Sequence, residues 1–262
     1  MKNKLEFVKG ILCDIAGTVE FKKKPIEGAI DTIQFLKDKG IRIVFLTNTD
    51  SRTPRAMYDL LKNYGFGLKE EDIFTPIVAI KEYLKSCPEK KVFFLTTKEV
   101  KKEFSEANEV SDGEQPDIVV MGDFSDDWRV EKLDQVFKYV YNGAMLIGTQ
   151  GNRYFLNKAG EPCIDTGAFV RMIANATQKD FKIMGKPSED YFHFALSKIG
   201  LSPDEVIIVG DDLESDIRGG LNSKIRSILV RTGKGRDYNK LASDIIPYLT
   251  INSIKDLKKM ME

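Results

Sequence analysis

Short, mostly apolar runs recur along this chain, and helical patterns fall between most of them. The runs are Phe7–Cys13, Ile41–Leu46, Val92–Leu95, Ile118–Met121, Ala144–Ile147, Lys182–Met184, Val206–Val209 and Ile225–Leu229. Val-Ile-Ile-Val at 206–209 shows the type: a strand that is apolar on both faces. Such a strand needs cover on both sides, which points to parallel sheets flanked by helices. Helical patterns run from Glu27 to Lys39, closed by Gly40, and from Thr53 to Tyr64, closed by Gly65. A last helix is expected over Ile251–Met260, and the most loop-like stretch is Asn108–Pro116. The expected fold is therefore α/β, with parallel sheets.

Composition removes several classes of function. Lys+Arg and Asp+Glu each number 40, so the chain has no net positive field to gather nucleic acid. No apolar run approaches the roughly 20 residues of a membrane helix, and no membrane partner is expected. The basic start, Met1–Lys9, leads into too short an apolar stretch for a signal peptide. Cys13, Cys87 and Cys163 form no CxxC pair, which fits a reducing, cytoplasmic setting. His193 is the single histidine and sits in an apolar helical pattern. Histidine-based zinc sites and HExxH chemistry are excluded, and a packed or surface role is expected for His193.

In open parallel sheets, ligands bind beyond the carboxyl ends of the strands. The residues that follow each run therefore matter most. Asp14-Ile15-Ala16-Gly17-Thr18 follows the first, and Thr47-Asn48-Thr49 the second. Gly185-Lys186-Pro187 follows Lys182–Met184, and Gly210-Asp211-Asp212-Leu213-Glu214-Ser215-Asp216 follows Val206–Val209. An aspartate can attack phosphorus as a covalent nucleophile. Hard carboxylate oxygens suit Mg²⁺. Lysine and threonine can take up phosphate charge. Together they resemble a phosphoryl-transfer site.

This ordered set resembles the haloacid dehalogenase superfamily of phosphotransferases, over roughly Leu5–Thr75 and Asp180–Glu262. The resemblance implies a Rossmann-like core with a parallel sheet. Asp14 and Thr47 are 33 residues apart, with room for a flap hairpin, one helix and one strand. Thr47 and Lys186 are 139 residues apart, far more than a βαβ unit of about 30 residues requires. The excess reads as an inserted α/β cap over 76–179, with the core formed by 1–75 and 180–262. A cap in that position resembles the NagD-like branch with a type IIA cap. Gly148–Tyr154 and Asp165–Phe169 resemble that branch's cap segments. The resemblance implies Asp14 as nucleophile and Lys186 as the catalytic lysine that offsets negative charge. It implies phosphate binding by Ala16, Gly17, Thr47, Asn48 and Lys186, and a Mg²⁺ cofactor held by Asp14, the Ala16 carbonyl and Asp211. Asp212 and Asp216 would be secondary acids. The same residues also admit plain capping: Thr47 and Asn48 before a helix starting at Thr49–Arg52, and the acidic turn before a helix from Glu214. A small phosphorylated metabolite is the implied partner, and a homodimer through the cap is compatible with the branch.

One position departs from the pattern. The superfamily's phosphatases usually carry Asp two positions after the nucleophile, as general acid and base; here it is Ala16. Such a group is worth about 10²–10⁴ in rate. A slow or selective phosphatase is therefore expected, one less handicapped on acyl phosphates, phosphoramidates and pyrophosphate than on alkyl phosphates. NagD-like relatives similar to phospholysine/phosphohistidine/pyrophosphate phosphatase lack this Asp too. The alternatives are a non-catalytic phosphate- or Mg²⁺-binding protein, and a phosphonoacetaldehyde hydrolase-like enzyme. The latter would need its cap between Asp14 and Thr47, where 33 residues leave no room.

Overall fold

The computed structural model describes residues 5–111, 113–156, 161–238 and 244–262. Asp112, in the expected loop, lies outside them. In chain order the strands begin with β1 (Gly10–Asp14), β2 (Glu20–Phe21), β3 (Lys24–Pro25), β4 (Arg42–Leu46) and β5 (Ile73–Phe74). Then come β6 (Val92–Leu95), β7 (Ile118–Met121), β8 (Met145–Gly148), β9 (Tyr154–Leu156), β10 (Pro162–Ile164) and β11 (Phe181–Ile183). β12 (Val206–Gly210), β13 (Arg226–Val230) and β14 (Leu249–Ile251) complete the series. The chain divides into two compact units. One comprises 1–47, 54–74 and 186–262, the other 48–53 and 75–185.

The first unit is built on a parallel sheet of order β14-β13-β12-β1-β4-β5. β1 and β12 are buried along their whole length, as strands covered on both faces must be. Ile11, Cys13, Ile33, Phe45, Leu61 and Ile207 belong to the core on one side. The helix Ala29–Asp38 contributes Ala29, Ile33 and Leu36 to it, at the i, i+4, i+7 spacing of one helical face. β2 and β3 form a hairpin beyond β1. The second unit has its own parallel sheet, β11-β8-β7-β6. Its core gathers Leu95, Val119, Met121, Val136, Leu146 and Val170, and β9 pairs with β10 in a separate antiparallel hairpin.

Three expectations are corrected. The run at 182–184 forms β11, which pairs with β8 and belongs to the second sheet. A motif beyond a strand does not reveal which sheet the strand joins, because pairing is non-local. The last helix is shorter than expected: Leu249–Ile251 is a strand of the first sheet, and the helix spans Asp256–Met261. Of the two helix starts expected, that at Thr53 holds to within a residue and that at Thr49–Arg52 does not: the helix begins at Pro54. Proline suits the first helical position, and it disfavours helical geometry in the residue before it. Among the described residues, no helix is long and apolar enough to cross a membrane.

Candidate active site

β1 ends on Asp14, the chain leaves β4 into Thr47, and it leaves β12 into Asp211. Because β1, β4 and β12 are parallel neighbours, the three residues emerge at one edge of the sheet. Lys186 comes from outside that sheet, yet its ammonium lies 2.5 Å from Asp14 Oδ1 and 2.6 Å from Asp216 Oδ1. Asp14, Lys186, Asp211 and Asp216 are all buried. Oxygens of Asp14, Asp211 and Asp216 all lie within 4.8 Å of one another.

The electrostatics follow from that geometry. Burial raises the Asp14 carboxyl and Lys186 pulls it back, while Asp211 raises it further. Asp216 is raised in the same way, by burial and by Asp14, against Lys186. Burial pushes Asp211 up to about 6 from its usual 3.8, with Asp216 adding to the effect. Burial alone would lower Lys186, but the two carboxylates lift it well above its ordinary value. One ammonium thus serves two acids: the lysine stays charged, and the acids stay short of positive charge.

That shortage is the argument for a cation. Three buried carboxylates face one buried lysine, and their oxygens are close enough to share one small ion. The donor set, carboxylate oxygens only, suits a hard divalent cation such as Mg²⁺. Asp216 stands beside Asp14 and Asp211, so its carboxylate is placed to join the expected set of Asp14, the Ala16 carbonyl and Asp211. Two glycines let the backbone close on Asp211. A Cβ on Gly17 would meet Asp211 Oδ2 at 2.1 Å, and one on Gly233 would meet it at 2.0 Å. Both have positive φ, at 87° and 51°, a region glycine enters without strain.

Other expected residues fall as follows. Ala16 is exposed and bridges to Glu20. Thr47 is buried in the first unit, whereas Asn48 belongs to the second. Asp212 caps the turn that follows, accepting from Glu214 N at 2.9 Å and Ser215 N at 3.2 Å. Its own N–H donates to Asp216 Oδ2 at 3.1 Å, so Asp212 caps this turn and is tied to the acid beside it. His193 is exposed on the helix Glu189–Ile199. Tyr154 and Phe155, on the β9–β10 hairpin, are exposed too, as is Arg153 before it.

The structure adds residues that the motifs did not assign. Thr18 Oγ1 donates to Asp14 Oδ2 at 3.0 Å, four residues along the same turn. Lys234 donates its backbone N–H to Asp211 Oδ2 at 2.6 Å and its ammonium to Asp212 Oδ2 at 2.5 Å. Burial raises Asp212 and Lys234 pulls it down; the net shift is downward. Tyr191 OH lies 3.0 Å from the Thr47 carbonyl and 2.8 Å from that of Phe74. Thr18 sat within a motif already singled out, but nothing local marks Lys234 or Tyr191.

Comparison with known proteins agrees with this fold. Residues 11–109 match the family described as haloacid dehalogenase-like hydrolase, and residues 183–257 match the one described as HAD-hydrolase-like. The chain belongs to the haloacid dehalogenase superfamily, in its NagD-like branch. Haloacid dehalogenase-like hydrolase domain-containing protein 2 of Bos taurus is 29% identical, covering 94% of this chain and 93% of its own. The phospholysine phosphohistidine inorganic pyrophosphate phosphatase of Xenopus laevis is 28% identical, covering 87% and 85%. The crystal structure of a 4-nitrophenylphosphatase from Thermotoga maritima superposes with a TM-score of 0.86 at 27% identity, covering 97% and 98%.

Proposed function

We propose that this haloacid dehalogenase phosphatase hydrolyses a small phosphorylated metabolite through an aspartyl-phosphate on Asp14, with Mg²⁺ as cofactor. The observation that carries the reading is the placement of Asp14 at the end of β1, against Lys186 at 2.5 Å and within 4.8 Å of Asp211 and Asp216. Asp14, Asp211 and Asp216 would hold the metal, which when bound supplies positive charge to the phosphoryl oxygens. An Asp14 oxygen attacks phosphorus; the bond from phosphorus to the leaving group breaks, and that group departs with the electron pair. Lys186 stays protonated and offsets the charge gathering on Asp14 and the phosphoryl group. Thr18 holds the other Asp14 oxygen and so fixes the carboxylate's rotation. Water then attacks the aspartyl-phosphate, frees phosphate and restores the carboxylate.

Ala16 decides the substrate class. Its methyl group has no proton to give, so the leaving group takes its proton from solvent. Groups that leave as weak bases are favoured: carboxylates from acyl phosphates, phosphate from pyrophosphate, and amines from phosphoramidates already protonated on nitrogen. The name of the Xenopus laevis relative lists substrates of that kind. The test uses acetyl phosphate and a series of aryl and alkyl phosphates with Mg²⁺. Turnover should rise steeply as the leaving group's pKa falls, and Asp14→Asn should abolish phosphate release from every member. An Asp14→Asn protein that works at the wild-type rate would overturn the nucleophile. A flat plot would overturn the missing-acid account.

A further inference from the structure

Asp50 lies three residues after Thr47, in the short segment 48–53 that belongs to the second unit. It is a carboxylate in an expensive place, only 6% exposed. Its Oδ2 accepts from Thr149 Oγ1 at 2.5 Å and from Thr166 Oγ1 at 2.9 Å. Both hydroxyls are buried. Thr149 is the residue after β8, and Thr166 opens the helix Thr166–Thr177. That end is itself braced: Asp165 caps the helix through Thr166 N at 2.8 Å and accepts from Gln150 Nε2 at 2.6 Å. Burial pushes the Asp50 carboxyl up to about 7; the two hydroxyls pull it down, and Asp165 and Asp123 add to the rise.

The same knot takes in the far end of the insertion. A Cβ on Gly185 would lie 2.7 Å from the Thr149 carbonyl oxygen and 2.9 Å from Asn48 Oδ1. The segment that leaves Thr47, the end of β8 and the residue before Lys186 are therefore packed on one another within the second unit. Thr47 and Lys186 are the next residues along the chain on either side.

We propose that Asp50 is a positioning residue for phosphate binding: by tying the segment after Thr47 to Thr149 and Thr166, it fixes the two chain crossings that lead to Thr47 and Lys186. The proposal rests on the phosphatase reading for what Thr47 and Lys186 bind. A buried acid that served packing alone would be replaceable by an apolar side chain. One that positions must keep its oxygen.

The experiment compares the full-length protein with Asp50→Ala, Asp50→Asn and the double variant Thr149→Val/Thr166→Val. Each is read by KM and kcat on p-nitrophenyl phosphate, by competition with inorganic phosphate, and by the Mg²⁺ half-saturation. Asp50→Ala should weaken KM and phosphate inhibition together by about tenfold, the size of one lost hydrogen bond to a charged group. The Mg²⁺ half-saturation should not move. Asp50→Asn keeps an acceptor oxygen and should restore most of the affinity. The double threonine variant should shift phosphate affinity in the same direction, and it carries the test if Asp50→Ala does not fold. Unchanged phosphate affinity in the folded variants would overturn the proposal, as would an Asn variant no better than Ala. Calorimetry with inorganic phosphate and Mg²⁺ reads the same shift without turnover. A wild type that binds phosphate but releases none from any substrate would end the phosphatase reading and leave the Asp50 test standing.

Discussion

A single missing carboxyl group, at Ala16, separates this site from one with a general acid. Ala16 follows Asp14 by two positions and is exposed, so a longer side chain there meets no packed core. Ala16→Asp should fold normally and raise alkyl phosphate hydrolysis most, by up to about 10²–10⁴. The check is kcat/KM against leaving-group pKa, which should flatten in the variant; equal slopes in both proteins would show that the new carboxyl does not reach the leaving group. Asp14, Lys186, Asp211 and Asp216 were legible in the sequence because each stands in a recognisable string after an apolar run. Lys234 was not legible, because its contribution to Asp211 is a backbone N–H, which every residue but proline possesses. The contacts of Asp50 were not legible either, since only the fold places its two threonine partners, 99 and 116 residues away, beside it.

Among the elements, the helix Glu189–Ile199 does more than cover the sheet. It begins three residues after Lys186 and buries Tyr191 in its first turn. The Tyr191 hydroxyl reaches the Thr47 carbonyl just past β4 and the Phe74 carbonyl at the end of β5. Tyr191→Phe would remove one donor from each carbonyl, while that of Phe74 keeps the Thr47 N–H at 3.3 Å, so the cost is that of ordinary hydrogen bonds, about 0.5–1.5 kcal/mol each. Thermal unfolding should show the loss as a lower Tm, and phosphate affinity should fall with it if Thr47 is displaced. An unchanged Tm would mean that other donors already satisfy both carbonyls. At this scale the sequence was read well where periodicity was local. Val92–Leu95 and Ile118–Met121 form strands with the expected bounds. It misled where the answer was non-local or stereochemical: β11 joined the other sheet, and Pro54 postponed a helix that Thr49 would have opened. β5 went unread, because two residues, Ile73 and Phe74, are too few to show a period.

For the whole molecule, the buried acids make stability depend on pH and metal together. Asp211 rises from its usual 3.8 to about 6, and Asp14 and Asp216 move the same way. A raised acid binds more protons folded than unfolded. Its contribution therefore favours folding at low pH and is lost as pH climbs from about 4 through about 6. A cation that pairs with the ionised forms should cancel that loss. Mg²⁺ should then raise Tm more at about pH 7.5 than at about pH 5, with a gain of about 2.7 kcal/mol at a hundredfold excess over Kd. Asp211→Asn should shrink the Mg²⁺-induced shift; equal shifts at both pH values would count against metal binding by these carboxylates. The strand order has a further consequence, for the birth of the chain. β1 sits between β4 and β12, and β12 follows the entire insertion. A ribosome making this protein releases every strand of the second sheet before it releases β12. The nascent first sheet must wait with its central strand open on one side, bare apolar backbone of the kind that invites mispairing. Dividing one sheet around another thus places the most vulnerable moment of synthesis between Gly185 and Gly210, when one unit has all its strands and the other still lacks the neighbour of β1.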